Sequence, residues 1–196
     1  MTATDDDDEK VVLRDGSVVL VRPVRPEDKE LFVRGWERFG EESRYRRFMG
    51  AKGRLSARDL AYFTELDHSD HEALGARDAE TGEGVGVARY VRLTADPAAA
   101  EAAVAVVDDW QHRGLGGELL RRLTERAREN GIERFRARLF AFNHSMLALF
   151  EDIGEVEICH AGDGELEIDV ELSCEGTSGL FAALRAAAKG LVGLRP

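Results

Sequence analysis

The residues best suited to chemistry lie in one run, Val106-Val107-Asp108-Asp109-Trp110-Gln111-His112-Arg113-Gly114-Leu115-Gly116-Gly117. A Val-Val strand there passes through a short polar turn into a glycine-rich helix start. The first amides of a helix have no intrahelical acceptor and carry a partial positive charge, so such a start attracts an anion, here a phosphate or pyrophosphate. Gly114, Gly116 and Gly117 let the backbone approach that anion without Cβ contacts, while Gln111, His112 and Arg113 offer side-chain donors. Two common phosphate motifs are excluded. Gly-Lys-Ser/Thr is missing, and the dinucleotide fingerprint would require glycine where Leu119 stands.

Other constellations point to less. Asp67, His68, Asp70 and His71 crowd one loop, but mixed Asp/His crowding reads as a solvated turn, so no metal is expected. Cys159 and Cys174 have neither metal-ligand spacing nor a Cys-x-x-Cys arrangement and read as ordinary thiols. With 27 Lys+Arg against 38 Asp+Glu, the net charge of −11 argues against a nucleic-acid partner or a purely electrostatic membrane binder. No apolar run approaches the ~20 residues of a membrane span, and MTATDDDDEK lacks the basic start and apolar stretch of a signal peptide. A cytoplasmic protein is expected.

The elements that must hold the glycine run follow from periodicity. A chain of 196 residues suits one domain, here 11–174, between a disordered acidic tail at 1–10 and a helical extension at 175–196. In that extension Leu180, Leu184, Ala187, Leu191 and Leu194 recur at helical spacing, a face expected to dock on its own domain. Val18 to Arg22 reads as a strand after the Asp15-Gly16 turn, and Pro26 opens a helix bearing Leu31 and Phe32. Residues 41–63 read as short helices with Phe48, Leu60 and Phe63 as anchors, the second capped by Ser56. His71 to Arg77 and Val85 to Arg92 form a hairpin. Ala102 to Val107, apolar throughout, reads as a central strand buried on both faces. Gly114 to Asn130 is an amphipathic helix, and alternation at Phe135 to Leu139 and at Leu166 to Leu172 marks half-buried strands. The fold class is a mixed α/β domain around one sheet.

Gln-x-x-Gly-x-Gly after a Val-Val strand, with Asn143 opening a helix one strand later, resembles the GNAT acetyltransferase superfamily. The resemblance runs from about Val18 to Leu172 and implies a single domain with a central mixed, mostly antiparallel sheet flanked by helices. Val21-Arg22-Pro23-Val24-Arg25-Pro26-Glu27-Asp28, Asp67 to Leu74, Gly84 to Tyr90 and Asp109 to Gly116 are similar to single-domain bacterial protein-lysine acetyltransferases of the Pat type.

The resemblance implies acetyl-CoA as co-substrate, its pyrophosphate on the backbone amides from Gln111 to Gly117. The pantetheine arm would follow Val106-Val107, where GNAT proteins splay the central strand from its parallel neighbour by a bulge. Asn143 matches the asparagine on the pantetheine side, and is also placed to cap its helix. The acceptor implied is a protein lysine, with AMP-forming acyl-CoA synthetases as its class. A free lysine side chain has a pKa of ~10.4, so a base must take its proton. Glu101 stands where Pat-type enzymes place a glutamate base, expected here to be partly desolvated. The amide of Val106 or Val107 is expected to stabilise charge on the thioester oxygen, with direct attack and no acyl-enzyme. His71 and Glu72 are candidates for the acceptor side. One residue departs from the pattern: where many GNAT enzymes carry a tyrosine acid, this chain has Phe150. A small-molecule amine acetyltransferase and a non-catalytic acetyl-CoA-binding regulatory module are the alternatives.

Overall fold

The computed structural model describes residues 8–43 and 53–172. Phe48, Cys174, the acidic residues before Asp8 and the expected helical extension lie outside the described residues.

Strand β1 (Glu9–Val12) joins β2 (Val18–Pro23) through a tight turn. Gly16 adopts φ 87° there, and Asp15 Oδ1 accepts from the Ser17 amide and hydroxyl at 3.0 and 2.6 Å. Residues 8–10, part of the stretch expected to be a disordered tail, thus have a defined place in the fold. The acidic residues that repel one another in isolation meet arginines from distant positions: Asp8 reaches Arg22 and Arg77, and Glu9 reaches Arg122.

A 3-10 turn at Pro26–Asp28 leads into α1 (Lys29–Glu37). Helix α2 (Ala57–Thr64) starts at Ser56 as expected, its hydroxyl accepting the Asp59 amide while Asp59 accepts the Ser56 amide at 2.8 Å. Phe32 stacks on Phe63 at 5.8 Å and joins the two helices. The expected hairpin is β3 (His71–Asp78) and β4 (Gly84–Leu93). Then follow β5 (Asp96–Val106), α3 (Leu115–Glu129), β6 (Arg134–Phe140), α4 (His144–Glu151), β7 (Gly154–Gly162) and β8 (Glu165–Leu172). Among the described residues no helix is long and apolar enough to cross a membrane.

These strands form one sheet in the order β1-β2-β3-β4-β5-β6-β8-β7, antiparallel throughout except between β5 and β6. The mixed α/β architecture is the one expected. On one face, Leu115, Leu119, Leu120 and Leu123 of α3 are buried in one core with Tyr90, Phe135 and Ile168 of the sheet. On the other, α1 and α2 cover β4, leaving the β6–β8 half to a cross-strand charge ladder. Arg136 grips Asp169 with two bonds of 2.7 and 2.8 Å, flanked by Arg134–Glu171 and Arg138–Glu167 at 3.2 Å. The arginines of this strand thus pair within the sheet.

Strand β5 is central, but it is not buried on both faces. Ala102 and Val104 are buried toward α3, whereas Glu101 is exposed and Ala103 and Ala105 are half-buried. Beyond Glu101 a gap opens in the sheet beside it.

Candidate active site

Strands β5 and β6 pair only at Ala99–Arg134, Ala100–Phe135 and Glu101–Arg136. Both continue for several residues, but β6 stays with β8 along its whole length, so the two parallel strands part. The wedge between them is a cavity of about 380 Å3 with Ala102–Val106 on one wall and Ala137–Leu139 on the other. Met146, Leu149 and Phe150 of α4 border it from the α3 face, and Phe39 and Ser43 from the α1 face. The expected bulge is absent: the β4–β5 register runs unbroken from Arg92–Ala100 to Gly86–Val106. Divergence of β6 alone opens the gap.

That register decides which amides face the wedge. The Val107 amide donates to the Val85 carbonyl at 3.1 Å, so odd-numbered residues of β5 turn their backbone toward β4. Ala102, Val104 and Val106 turn theirs toward the wedge. Of the two amides expected to meet the thioester oxygen, that of Val107 is thus taken, and its side chain is buried. Val106 remains. Gln111 Nε2 donates to the Val106 carbonyl at 3.1 Å from that open edge.

A 3-10 turn at Asp108–Trp110 carries the chain from β5 to α3. Gly114 precedes α3 in the left-handed conformation at φ 90°, and no side chain caps the helix. The amides of Leu115, Gly116 and Gly117 therefore stand at the mouth of the wedge without intrahelical acceptors. A Cβ on Gly116 would lie 3.2 Å from Leu149 Cδ1, so this glycine also lets α4 pack against the helix start. Two expected side-chain donors instead shape the turn. Gln111 bonds Val106 and Asp108, while Arg113 donates to the Asp109 carbonyl at 2.7 Å, lies 4.7 Å over the Trp110 ring and pairs with Asp15 at 3.3 Å. His112 is exposed on the wedge at φ 62°. Asn143 borders the wedge too, and its Oδ1 accepts the Met146 amide at 3.3 Å as the cap of α4.

The model of the acetyltransferase (GNAT) family matches residues 36–154. The chain belongs to that family. It is 34% identical over 146 residues to the acetyltransferase Pat of Mycolicibacterium smegmatis, an alignment covering 74% of this chain and 44% of that protein. The chain thus spans less than half the length of that relative. The crystal structure of the GNAT domain of S. lividans PAT is 35% identical and superposes with a TM-score of 0.77, covering 87% of this chain and all of that one. At the level of fold alone, Salmonella typhimurium yncA, solved with its cofactor acetyl-CoA, matches with a TM-score of 0.63 at 17% identity, over 81% of this chain and 96% of its own.

In this GNAT domain Glu101 occupies the last paired position before the wedge opens. Register places His71, Val91, Glu101, Arg136 and Asp169 in one row across the α1 face. Glu101 is exposed rather than desolvated, and the neighbouring guanidinium is engaged by Asp169. Glu72 lies on the opposite face, buried, bonded to His68 Nδ1 and the Ala73 amide at 2.8 Å. It therefore points away from the face that carries His71 and Glu101. Asp67 accepts the amides of Ser69, Asp70 and His71 at 2.8 to 2.9 Å, which hold its carboxyl below the usual range. Phe150, buried, lines the wedge without a hydroxyl.

His71 packs against Tyr62, ring centroids 4.9 Å apart. Burial, reinforced by the Arg89 guanidinium, lowers its pKa from 6.5 to about 4. A folded value below the unfolded one means the unfolded chain binds the proton first. The stability present above pH ~6.5 is therefore lost as pH falls toward 4. Wild-type protein is expected to lose on the order of 2 kcal/mol more than His71→Gln between pH 7 and pH 4, discounted for partial exposure. Urea midpoints of both proteins across that range check the difference.

Several residues at the wedge escaped sequence reasoning. Phe39 and Ser43 arrive from beyond α1, and Arg14 from the β1–β2 turn. No spacing relates them to the glycine run, because only the sheet order brings them there.

Proposed function

We propose that this chain transfers the acetyl group of acetyl-CoA to a protein lysine in the cytoplasm, with AMP-forming acyl-CoA synthetases as the acceptor class. The observation that carries this reading is the wedge where β5 and β6 part, bordered by residues from both faces of the sheet. Uncapped helix amides suited to a pyrophosphate stand at one end; at the other, Glu101 ends the β5–β6 ladder with its side chain on the α1 face. A lysine can then approach from the α1 face while the thioester enters between the strands. The resemblance of the sequence to Pat-type protein-lysine acetyltransferases supports a protein lysine, and acetyl-CoA in the like-folded yncA supports the donor.

Glu101, through a water, takes the proton of the attacking amine, and that nitrogen forms the new bond to the acetyl carbonyl. The Val106 amide donates to the carbonyl oxygen as charge develops on it. The carbon–sulfur bond breaks, and CoA leaves as a thiolate. With a thiol pKa of ~8.5 it leaves without a protein acid and takes its proton from water, which suits a wedge with Phe150 in place of a phenol. Holding both reactants in one cleft supplies much of the remaining advantage.

The test incubates purified protein with acyl-labelled acetyl-CoA and a deacetylase-deficient bacterial lysate, with a no-enzyme control. Label on a few protein bands, identified as synthetases by mass spectrometry, is the expected result. Label confined to small molecules would overturn the protein acceptor in favour of a small amine. No transfer despite CoA binding would leave an acetyl-CoA-binding regulatory module.

A further inference from the structure

We propose that Arg14, carried by the β1–β2 turn, is a phosphate-binding residue for the nucleotide end of acetyl-CoA. This rests on the acetyl-CoA reading above and adds to it a side chain outside the glycine run.

The placement is built by the turn. Leu13 is buried in the core, and the turn closes through the Leu13 amide on the Ser17 carbonyl at 2.8 Å and the Gly16 amide on the Leu13 carbonyl at 3.0 Å. The Arg113–Asp15 pair fastens this turn to the loop before α3. Arg14 is thereby laid along Gly114: its Cγ, Cδ and Nε lie 3.4 to 3.5 Å from where a Cβ on that glycine would sit. Its side chain borders the wedge mouth beside the uncapped amides.

Charge selects Arg14 over its neighbours. Arg113 is held by Asp109, Trp110 and Asp15; Arg38 donates to Asp109 and the Gly84 carbonyl; Arg122 is paired with Glu9 and Glu118. Each of those cations meets its anion inside the protein. Among the described residues Arg14 has no ion pair or hydrogen bond, so its guanidinium is an exposed, unneutralised cation at the end of the wedge. A pyrophosphate on the helix amides carries more charge than those dipoles neutralise, and a guanidinium binds phosphate oxygens through paired donors. Gly114 lacks a side chain, which leaves the flat stem of Arg14 room to lie there.

The test is calorimetric titration of wild-type, Arg14→Gln and Arg14→Lys protein with CoA, 3′-dephospho-CoA and S-acetyl-pantetheine, at two salt concentrations. Arg14→Gln is expected to raise Kd for CoA about tenfold, with lower salt dependence and partial recovery in Arg14→Lys. Affinity for S-acetyl-pantetheine, which has no phosphate, should not change. Equal weakening toward CoA and dephospho-CoA assigns Arg14 to the pyrophosphate; weakening toward CoA alone assigns it to the 3′-phosphate. An unchanged Kd for CoA overturns the proposal, as does equal weakening toward all three ligands. Failure of the wild-type protein itself to bind CoA overturns the acetyl-CoA reading and this assignment together.

Discussion

Glu101→Gln is expected to lower kcat for acetyl transfer by about 10²–10⁴-fold, the usual contribution of a positioned general base, while leaving CoA affinity at the wild-type value. The substitution keeps the shape of the side chain and removes only its ability to hold a proton. Glu101 is exposed and has no part in the α3 core, so the fold should be indifferent to the change. Its position closes the β5–β6 ladder, just before the wedge opens along Ala102–Val106. The carboxylate therefore stands on the α1 face, away from the uncapped amides of α3.

His71 is the other titratable group of that row not held in an ion pair. A pKa near 4 makes it a poor acceptor for a proton at neutral pH. Steady-state kinetics at saturating acetyl-CoA, with CoA titration of the same preparation, separates the two roles. Unimpaired kcat removes Glu101 from the chemistry. A rise in the Kd for CoA instead makes it part of the binding site.

Gly154→Ala is expected to destabilise the domain by about 3 kcal/mol or more, a large share of the roughly 5–15 kcal/mol typical of a whole domain. A Cβ at this position would lie 2.0 Å from the Glu171 carbonyl oxygen and 3.0 Å from Val170 Cγ1. The first obstacle is backbone in a paired strand, which cannot swing aside as a flexible side chain can. Relief requires β7 to separate from β8 where Gly154 faces Leu172. The disturbance would not stay at the sheet edge, because Ile153 and Phe150 are buried just before it and Phe150 lines the wedge. Urea unfolding of the soluble fraction should show the loss, with weaker CoA binding by the folded part. A midpoint within error of wild type would contradict the close approach of these two strands.

Much of the fold is legible locally. Leucines every four residues mark α3, alternation marks β6 and β8, Ser56 marks the start of α2, and glycines mark the β3–β4 turn. Two strands leave weaker traces. β1 begins with Glu9 and Lys10, whose charges imitate a solvated tail until β2 and Arg122 are beside them. β7 is an edge strand with one partner and a register shift between Ile158 and His160, so its alternation is broken and most of it is exposed. β5 starts earlier than its apolar run because Asp96-Pro97, a turn signal in isolation, is held in the sheet.

The candidate site divides along the same line. Residue types and short spacings were enough to mark an uncapped, glycine-rich helix start after a central strand, because helix-end dipoles and glycine backbone freedom are properties of a few consecutive residues. Which groups face the wedge was decided by contacts between distant segments. The β4–β5 register engages the Val107 amide and leaves that of Val106 at the wedge. Pairing of β6 with β8 along its length opens that wedge without a bulge. The folded turn ties down Arg113 and places Arg14 beside Gly114. Strand parity and ion pairing are relations between positions far apart in the chain, so a local pattern holds the candidates and only the assembled sheet chooses among them.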